Sequence, residues 1–401
     1  MNPSGEVGCF QMDDLSSPPG DWYLLCSQRD CAMKLDILTR LIVAAVILMG
    51  GQSAVSGEGS PTRIIVPAPK DARFCHLSWP KVIKADDGSI VVAYIAGRKH
   101  VNGDGCPAVS VSNDGGNSFT SPHVLKTFDS TMRYQHAANL AIGKADDGAI
   151  VLMAMAFTDD LRNHIYGWRS EDHGKTWKST DTSEIGDSKT GSVFGHLFQV
   201  PAEGLAVCGH YRKPRGEGLW IAYSKDNGKS WGPTKTITTR KYFEPTFIFS
   251  GGRLVGLVRE NSAHAYHQFV SDDRGASWQF RPSVIQGNEN AVHPSPFLVA
   301  DPTQPDRLYA LQTERIGDNW INLWQAERDT LQWQENRVLT SSPDVEDFGY
   351  PWMTHLAGND WFMVHYAGEK DGPNSIYGGV ITIAPRDKGS DLNTPNPATR
   401  D

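Results

Sequence analysis

"SNDGGNSF" at residues 112–119 decides how this chain is read, because it returns as "SEDHGKTW" at 170–177, "SKDNGKSW" at 224–231 and "SDDRGASW" at 271–278. The common pattern is Ser-x-Asp-x-Gly-x-Ser/Thr-aromatic. These are the residue types of a self-bonded turn: the Asp and Ser/Thr side chains can bond nearby backbone amides, Gly takes positive φ, and the aromatic ring buries itself. Every fixed position has a structural use, so the octapeptide predicts architecture rather than catalysis or metal binding.

The four copies start 58, 54 and 47 residues apart, and a near-constant period of about 50 signals a repeat architecture. Each is preceded by an alternating run ("PAVSVS", "HIYGWRS", "LWIAYS", "HQFVS") that reads as a half-buried strand. A second repeat gives the count. "KADDGSIVVAY" from 84 and "KADDGAIVLMA" from 144 are near copies, each a turn followed by an apolar strand. Weaker versions are "VPAEGLAVCG" from 200, "FSGGRLVGLV" from 249, "DPTQPDRLYAL" from 301 and "LAGNDWFMVH" from 356. Six hairpins imply six units. In the fifth, "AERDTLQW" at 326–333 keeps the final Trp333 but lacks the Asp and Gly of the pattern; the sixth has no copy.

Six units of about four short strands, with no long helical pattern between them, predict an all-β chain folded as a six-bladed β-propeller. Its closure needs one composite blade. Either "TRIIVPA" from Thr62 pairs with the segment "IYGGVITIAP", or the latter closes alone.

The propeller is expected over residues 58–386. Ahead of it, "LIVAAVILMG" (41–50) is too short to span a bilayer but matches the apolar core of a secretory signal. Lys34 and Arg40 supply its basic flank, and small residues near Ala54 and Ser56 suit cleavage. Residues 33–57 are therefore read as a signal peptide, and residues 1–32 as an over-extended gene start or unfolded leader. The competing reading is an N-terminal helix that anchors the protein, so membrane contact is expected only through an uncleaved N-terminal segment. The polar tail, 387–401, is expected to be disordered.

Export to the outside or the periplasm permits disulfides, yet the mature chain would hold only Cys75, Cys106 and Cys208. A Cys75–Cys106 pair is allowed but not required. A net charge of −8 without basic runs argues against nucleic acid as a partner. No close His/Cys spacing points to zinc, so no metal or cofactor is expected. The chain is read as a monomer acting on a glycan or polysaccharide.

In a propeller the innermost strands converge on the axis, and their starts line one mouth of the channel. The residues just ahead of the hairpin turns are polar: His76 and Ser78, Arg133 and His136, His196, Glu244, His293 and Tyr350. Any one histidine reads first as a partly buried residue bonded to backbone. Six units each delivering an ionisable or hydroxyl group to one axis is a stronger signal.

Over residues 74–385 this pattern resembles the sialidase (neuraminidase) superfamily, whose Asp-box motif is the octapeptide and whose fold is a six-bladed β-propeller. The resemblance implies that Tyr350 in "DFGYPW" is the nucleophile, Glu244 in "FEPTF" its base, and Asp104 in "KHVNGDG" the acid/base. It implies that Arg259 grips a substrate carboxylate, with Arg98 and Pro80 at family spacing. The third arginine of the family's triad is Arg307 in "PTQPDRLY" or, less well placed, Arg315 in "TERIG". Ser78 stands where the family has its first arginine. That change removes a charge-assisted bond worth about 1.5–3 kcal/mol, or about one to two orders of magnitude in binding. Arg73 or Arg133 could compensate.

A tyrosine nucleophile suits a sugar carrying a carboxylate on its anomeric carbon, because an anionic nucleophile would be repelled. The implied activity is exo-hydrolysis of a terminal acidic or modified sugar. Two other readings use the same scaffold: a polysaccharide lyase or His-dependent glycosidase built on His76, His136, His196, His293 and Arg259, and a non-catalytic glycan-binding propeller.

Overall fold

The computed structural model describes residues 61–101, 103–160, 162–187, 189–212, 215–260, 264–343 and 345–384. The expected leader (1–32), signal peptide (33–57) and tail (387–401) lie outside the described residues. Among the described residues there are strands and no helix. After a short first strand, β1 (Arg63–Val66), each hairpin of the sequence repeat opens a four-stranded antiparallel meander. The first is β2 (His76–Lys84), β3 (Ile90–Gly97), β4 (Cys106–Ser112) and β5 (His123–Val124). The second is β6 (His136–Lys144), β7 (Ile150–Phe157), β8 (Asn163–Ser170) and β9 (Lys178–Ser179), and the third β10 (Gly191–Val200), β11 (Gly204–Tyr211), β12 (Leu219–Ser224) and β13 (Lys235–Thr238). The fourth is β14 (Phe243–Ser250), β15 (Arg253–Arg259), β16 (Ala265–Ser271) and β17 (Gln279–Gln286), and the fifth β18 (Phe297–Ala300), β19 (Arg307–Glu314), β20 (Trp320–Glu327) and β21 (Gln334–Ser341). The sixth has β22 (Asp347–Ala357), β23 (Asp360–Gly368) and β24 (Asn374–Thr382) from the C-terminal end. Its fourth strand is β1, which runs antiparallel to β24 with Arg63 opposite Gly378 and Ile64 opposite Tyr377. Of the two arrangements open to the C-terminal segment, pairing with the strand from Arg63 is thus the one formed.

In the first four units the octapeptide joins the third strand to the fourth. In the first copy, Ser112 Oγ accepts the Gly116 amide (2.9 Å) and Asp114 Oδ1 accepts the Ser118 amide (2.9 Å). Hydrogen bonds from Ser118 hold the Asp114 carboxyl down to about 2. The same bonds recur in the other three copies. The glycine does more than turn the chain. At Gly116 (φ +91°) a Cβ would lie 2.2 Å from Phe362 of β23, and at Gly174 (φ +91°) 2.7 Å from Val91 of β3. Gly228 meets Val151 of β7 and Gly275 meets Tyr223 of β12 in the same way. Each box therefore leans on the preceding unit, the first leaning on the sixth.

The strands ahead of the boxes depart from the half-buried pattern expected of them. All of β4, β12 and β16 is buried. Neighbouring units cover both faces, so the polar alternates must find partners inside; Ser110 does so with the Tyr94 hydroxyl at 2.7 Å. The first strands of the units touch in chain order, β2 to β6, β6 to β10, β10 to β14, β14 to β18 and β18 to β22, and β22 touches β2. Cys75, Cys106 and Cys208 are free thiols, so the Cys75–Cys106 pair does not form. Packing holds this scaffold.

Candidate active site

Five of the six first strands share a local irregularity. The ladder to the second strand shifts register between Ser78 and Lys81, Ala138 and Leu140, Phe194 and Leu197, Phe243 and Thr246, and Gly349 and Trp352. Inside each bulge one residue has positive φ: Trp79 (54°), Asn139 (55°), Gly195 (93°), Glu244 (49°) and Tyr350 (53°). A bulge re-aims a side chain, and non-glycine residues at positive φ cost of order 1–3 kcal/mol each, so such positions persist only where the surrounding packing imposes them. Glu244 and Tyr350 occupy equivalent bulges in the fourth and sixth units.

These two side chains meet. The Tyr350 hydroxyl donates to Glu244 Oε1 at 2.6 Å, and Arg259 donates to Glu244 Oε2 at 2.6 Å. All three are largely buried. Burial raises the Tyr350 phenol far above its ordinary range, and the Glu244 charge raises it further. Burial works against ionised Glu244, but Arg259 together with the Tyr350 and Arg259 hydrogen bonds outweighs it and keeps the carboxyl below its ordinary value. The pair is therefore a neutral phenol against a carboxylate, with a ready path for the proton.

Positive charge surrounds the pair. The Arg315 guanidinium lies 5.8 Å from the Tyr350 ring centre and donates to the Phe348 carbonyl (2.6 Å) and the Tyr366 hydroxyl (2.7 Å). Arg212, beside His210, is within electrostatic reach of both Glu244 and Tyr350. Below them, Lys81 is fully buried with its ammonium 4.1 Å from the Phe194 and Trp352 ring centres and 5.9 Å from that of Tyr350. Lys81 Nζ makes no hydrogen bond. Desolvation brings its pKa down to about 7, against the pull of Glu244.

Next to this group stands a second one. Asp347 Oδ1 accepts from Tyr366 (2.8 Å) and lies 3.4 Å from Arg315. Its Oδ2 is 2.6 Å from His100 Nδ1 and 3.3 Å from His76 Nε2. The His100 ring packs edge-on against Trp79, which in turn touches Tyr350. Asp104 (φ 55°) lies in the loop after β3, its Oδ2 held by exposed Arg98 at 3.0 Å. The Asp104 amide donates to His136 Nδ1 (3.2 Å), so His136 carries its proton on Nε2 and donates it to Asp159 (3.2 Å). Among the described residues no hydrogen bond or ion pair joins Asp104 to Tyr350 or Glu244.

Several residues singled out from the sequence lie elsewhere. Arg307 pairs with Glu327 at 3.5 Å at the start of β19. Arg315 follows the other end of that strand, roughly 25 Å along it. Arg315, not Arg307, is the arginine at Tyr350, because the inner ends of β19 and β22 face each other. His196 donates to the Leu298 carbonyl (2.8 Å) between Trp352 and Phe297, and burial takes its pKa down to about 4. His293 has Nδ1 3.2 Å from the Thr313 carbonyl and Nε2 3.0 Å from the Asn288 carbonyl. Both histidines bond to backbone carbonyls, the arrangement a single histidine suggests by default. Arg73 pairs with Asp129 and Arg133 with Asp187, and among the described residues no hydrogen bond or ion pair joins either to Ser78, Tyr350 or Glu244. Ser78 is buried opposite Ile95, and three residues on, the same strand supplies Lys81.

Lys81, Arg212, His100, Asp347 and Trp79 were not singled out from the sequence. Trp79-Pro80, Glu244-Pro245 and Tyr350-Pro351 share an X-Pro step at the bulge, the one sequence signal that could have found Trp79. Open clefts of about 460 and 570 Å³ lie around Arg169 and Tyr134, and neither contains Tyr350 or Glu244. Chemistry rather than size locates the site.

A family model described as a BNR repeat-like domain matches residues 88–365, and the chain belongs to that family, a sialidase-like superfamily of Asp-box β-propellers. Solved structures share the fold at low identity. A protein of unknown function from Dyadobacter fermentans is 18% identical over 81% of this chain and all of its own (TM-score 0.64). The Hadza microbial sialidase Hz136 is 16% identical over 80% of this chain and 68% of its own (TM-score 0.61). The Trypanosoma rangeli sialidase in complex with sialic acid is 14% identical over 80% of this chain and 58% of its own (TM-score 0.59). No curated protein matches the sequence.

Proposed function

We propose that the chain is a six-bladed β-propeller glycosidase that releases a terminal acidic sugar through a covalent tyrosyl intermediate. The blade count is supported by six meanders whose first strands touch in sequence and whose first Asp box leans on the sixth unit. The observation that carries the function is the buried 2.6 Å hydrogen bond from Tyr350 to Glu244, flanked by Arg259, Arg315 and Arg212.

Tyr350 attacks the anomeric carbon as its hydroxyl proton passes to Glu244, so no full negative charge approaches the substrate carboxylate. Asp104 protonates the leaving oxygen as its bond to the anomeric carbon breaks, then takes a proton from the water that releases the sugar from Tyr350. Arg259 and Arg315 hold the substrate carboxylate. Lys81 and Arg212 supply positive charge on the side where Ser78 brings none. Export belongs to the same reading and rests on residues 33–57 alone.

The test is hydrolysis of aryl glycosides of sialic acid and of uronic acids. Tyr350→Phe abolishes turnover and removes the sugar-modified Tyr350 peptide that mass spectrometry finds after trapping. Undiminished activity in that variant removes Tyr350 from the role. Absorbance of an unsaturated uronate would instead identify elimination, and binding without turnover in the wild type would leave a glycan-binding propeller.

A further inference from the structure

We propose that His76, His100 and Asp347 form a binding site for one divalent transition-metal ion, with zinc the best match. The inference stands apart from the glycosidase reading, since none of the three is assigned a part in that reaction. The ligand atoms are His76 Nε2, His100 Nδ1 and Asp347 Oδ2, which all lie within 4.8 Å of one another. They converge from the first residue of β2, the loop after β3 and the first residue of β22.

The tautomer of His76 carries the argument. Its Nδ1 lies 3.0 Å from the Gly372 carbonyl, which can only accept, so Nδ1 bears the proton. In the neutral ring the other nitrogen, Nε2, then presents a lone pair. It is buried without a hydrogen-bond partner and faces Asp347 Oδ2 at 3.3 Å. Two lone pairs directed at each other in a buried site repel unless a proton or a metal ion lies between them. A tetrahedral zinc ion with bonds of about 2.0–2.1 Å sets its ligand atoms about 3.3 Å apart, the separation found between His76 and Asp347. The His100–Asp347 contact, now 2.6 Å, would open by roughly 0.7 Å to admit it.

The surroundings have the form that metal sites require. A ligating histidine commonly donates its second ring nitrogen to a backbone carbonyl, and a ligating carboxylate is itself hydrogen-bonded. His76 does the first with Gly372, and Asp347 does the second through Oδ1 with Tyr366. Arg315 lies on that same oxygen, 3.4 Å away, which leaves Oδ2 as the ligand atom. His100 is the partly exposed member and gives the ion a way in. Two imidazoles and one carboxylate favour zinc, cobalt or nickel over magnesium or calcium.

The experiment uses the full chain, stripped with chelator and titrated with Zn²⁺ by calorimetry and with Co²⁺ by visible absorption. The expected result is one ion per chain at micromolar affinity or tighter, with cobalt bands of a four-coordinate site. His100→Ala should weaken binding at least tenfold, since even outer-shell partners are worth that much. X-ray absorption on the zinc-loaded wild type should show two imidazoles and a carboxylate, a readout that does not depend on any variant folding. Absence of saturable binding would mean that a proton alone bridges His76 and Asp347 and would overturn the proposal. Equal affinity in His100→Ala, or a zinc shell without two imidazoles, would overturn it as well.

Discussion

Lys81→Met should make the protein more stable at acidic and neutral pH, and the gain should vanish in base. Lys81 is fully buried between Phe194 and Trp352, and its ammonium has no hydrogen bond. Desolvation brings its pKa from 10.5 to about 7 in the folded protein. Between those values the unfolded chain holds one proton more than the folded one, so stability rises with pH by about 1.4 kcal/mol per pH unit from this group. Below pH 7 both states are protonated and the whole cost is present. A gap of about 3.5 in pKa corresponds to about 5 kcal/mol. Methionine fills a similar volume without a charge to desolvate. Urea unfolding of both proteins from pH 5.5 to 10 tests this. The stability difference should be several kcal/mol in favour of Lys81→Met below pH 7 and shrink towards zero near pH 10. Comparing the two proteins cancels every other group that titrates in that window. A difference that does not change with pH would refute the assignment of a strained, buried ammonium.

Three further outcomes follow from the geometry. Gly116→Ala combines positive φ with a Cβ 2.2 Å from Phe362 and should cost about 3 kcal/mol in urea unfolding; Gly115→Ala, which meets nothing within 4 Å, should cost about 1. On an acidic aryl glycoside, Arg315→Met should raise KM about ten- to a hundredfold, whereas Arg307→Met should change it less than about twofold; the reverse pattern would restore Arg307. Deleting β1 removes the partner of β24 together with buried Ile65 and Val66, and should lower stability by about 3–6 kcal/mol in the same assay.

The repeat was legible because turn chemistry is local. Ser112, Asp114, Gly116 and Ser118 bond among themselves within seven residues, so their spacing survives in the sequence as a fixed word. The hairpin turns, such as Asp86-Asp87-Gly88, are local for the same reason. The pairing of Tyr350 with Glu244 was reached through family resemblance, since 106 residues separate them. Asp347, His76 and His100 share no spacing at all. They meet because β22 of the sixth unit packs against β2 of the first, a juxtaposition that belongs to the tertiary contact and not to any segment. The resemblance favours Arg307 over Arg315 as the third arginine, yet the strand between them puts the two residues at opposite ends of β19.

The inner-strand bulges explain why the site could be only half read. A regular strand alternates its side chains between faces, and a register shift interrupts that alternation for one residue. At Trp79, Glu244 and Tyr350 this residue sits at positive φ directly before a proline, whose missing amide suits it to the interrupted ladder. Alternation counted through "FEPTF" or "FGYPW" would therefore put the Glu244 or Tyr350 side chain on the wrong face. The same step places an aromatic ring, Trp79, at the equivalent point in the first unit, against both Tyr350 and His100. That position links the tyrosine–glutamate pair to the histidine–aspartate group through a single side chain. Trp79→Gly removes the ring at a φ that glycine adopts freely and Trp79→Ala removes it while keeping the strained φ, so a loss of turnover or metal affinity common to both variants would come from the ring.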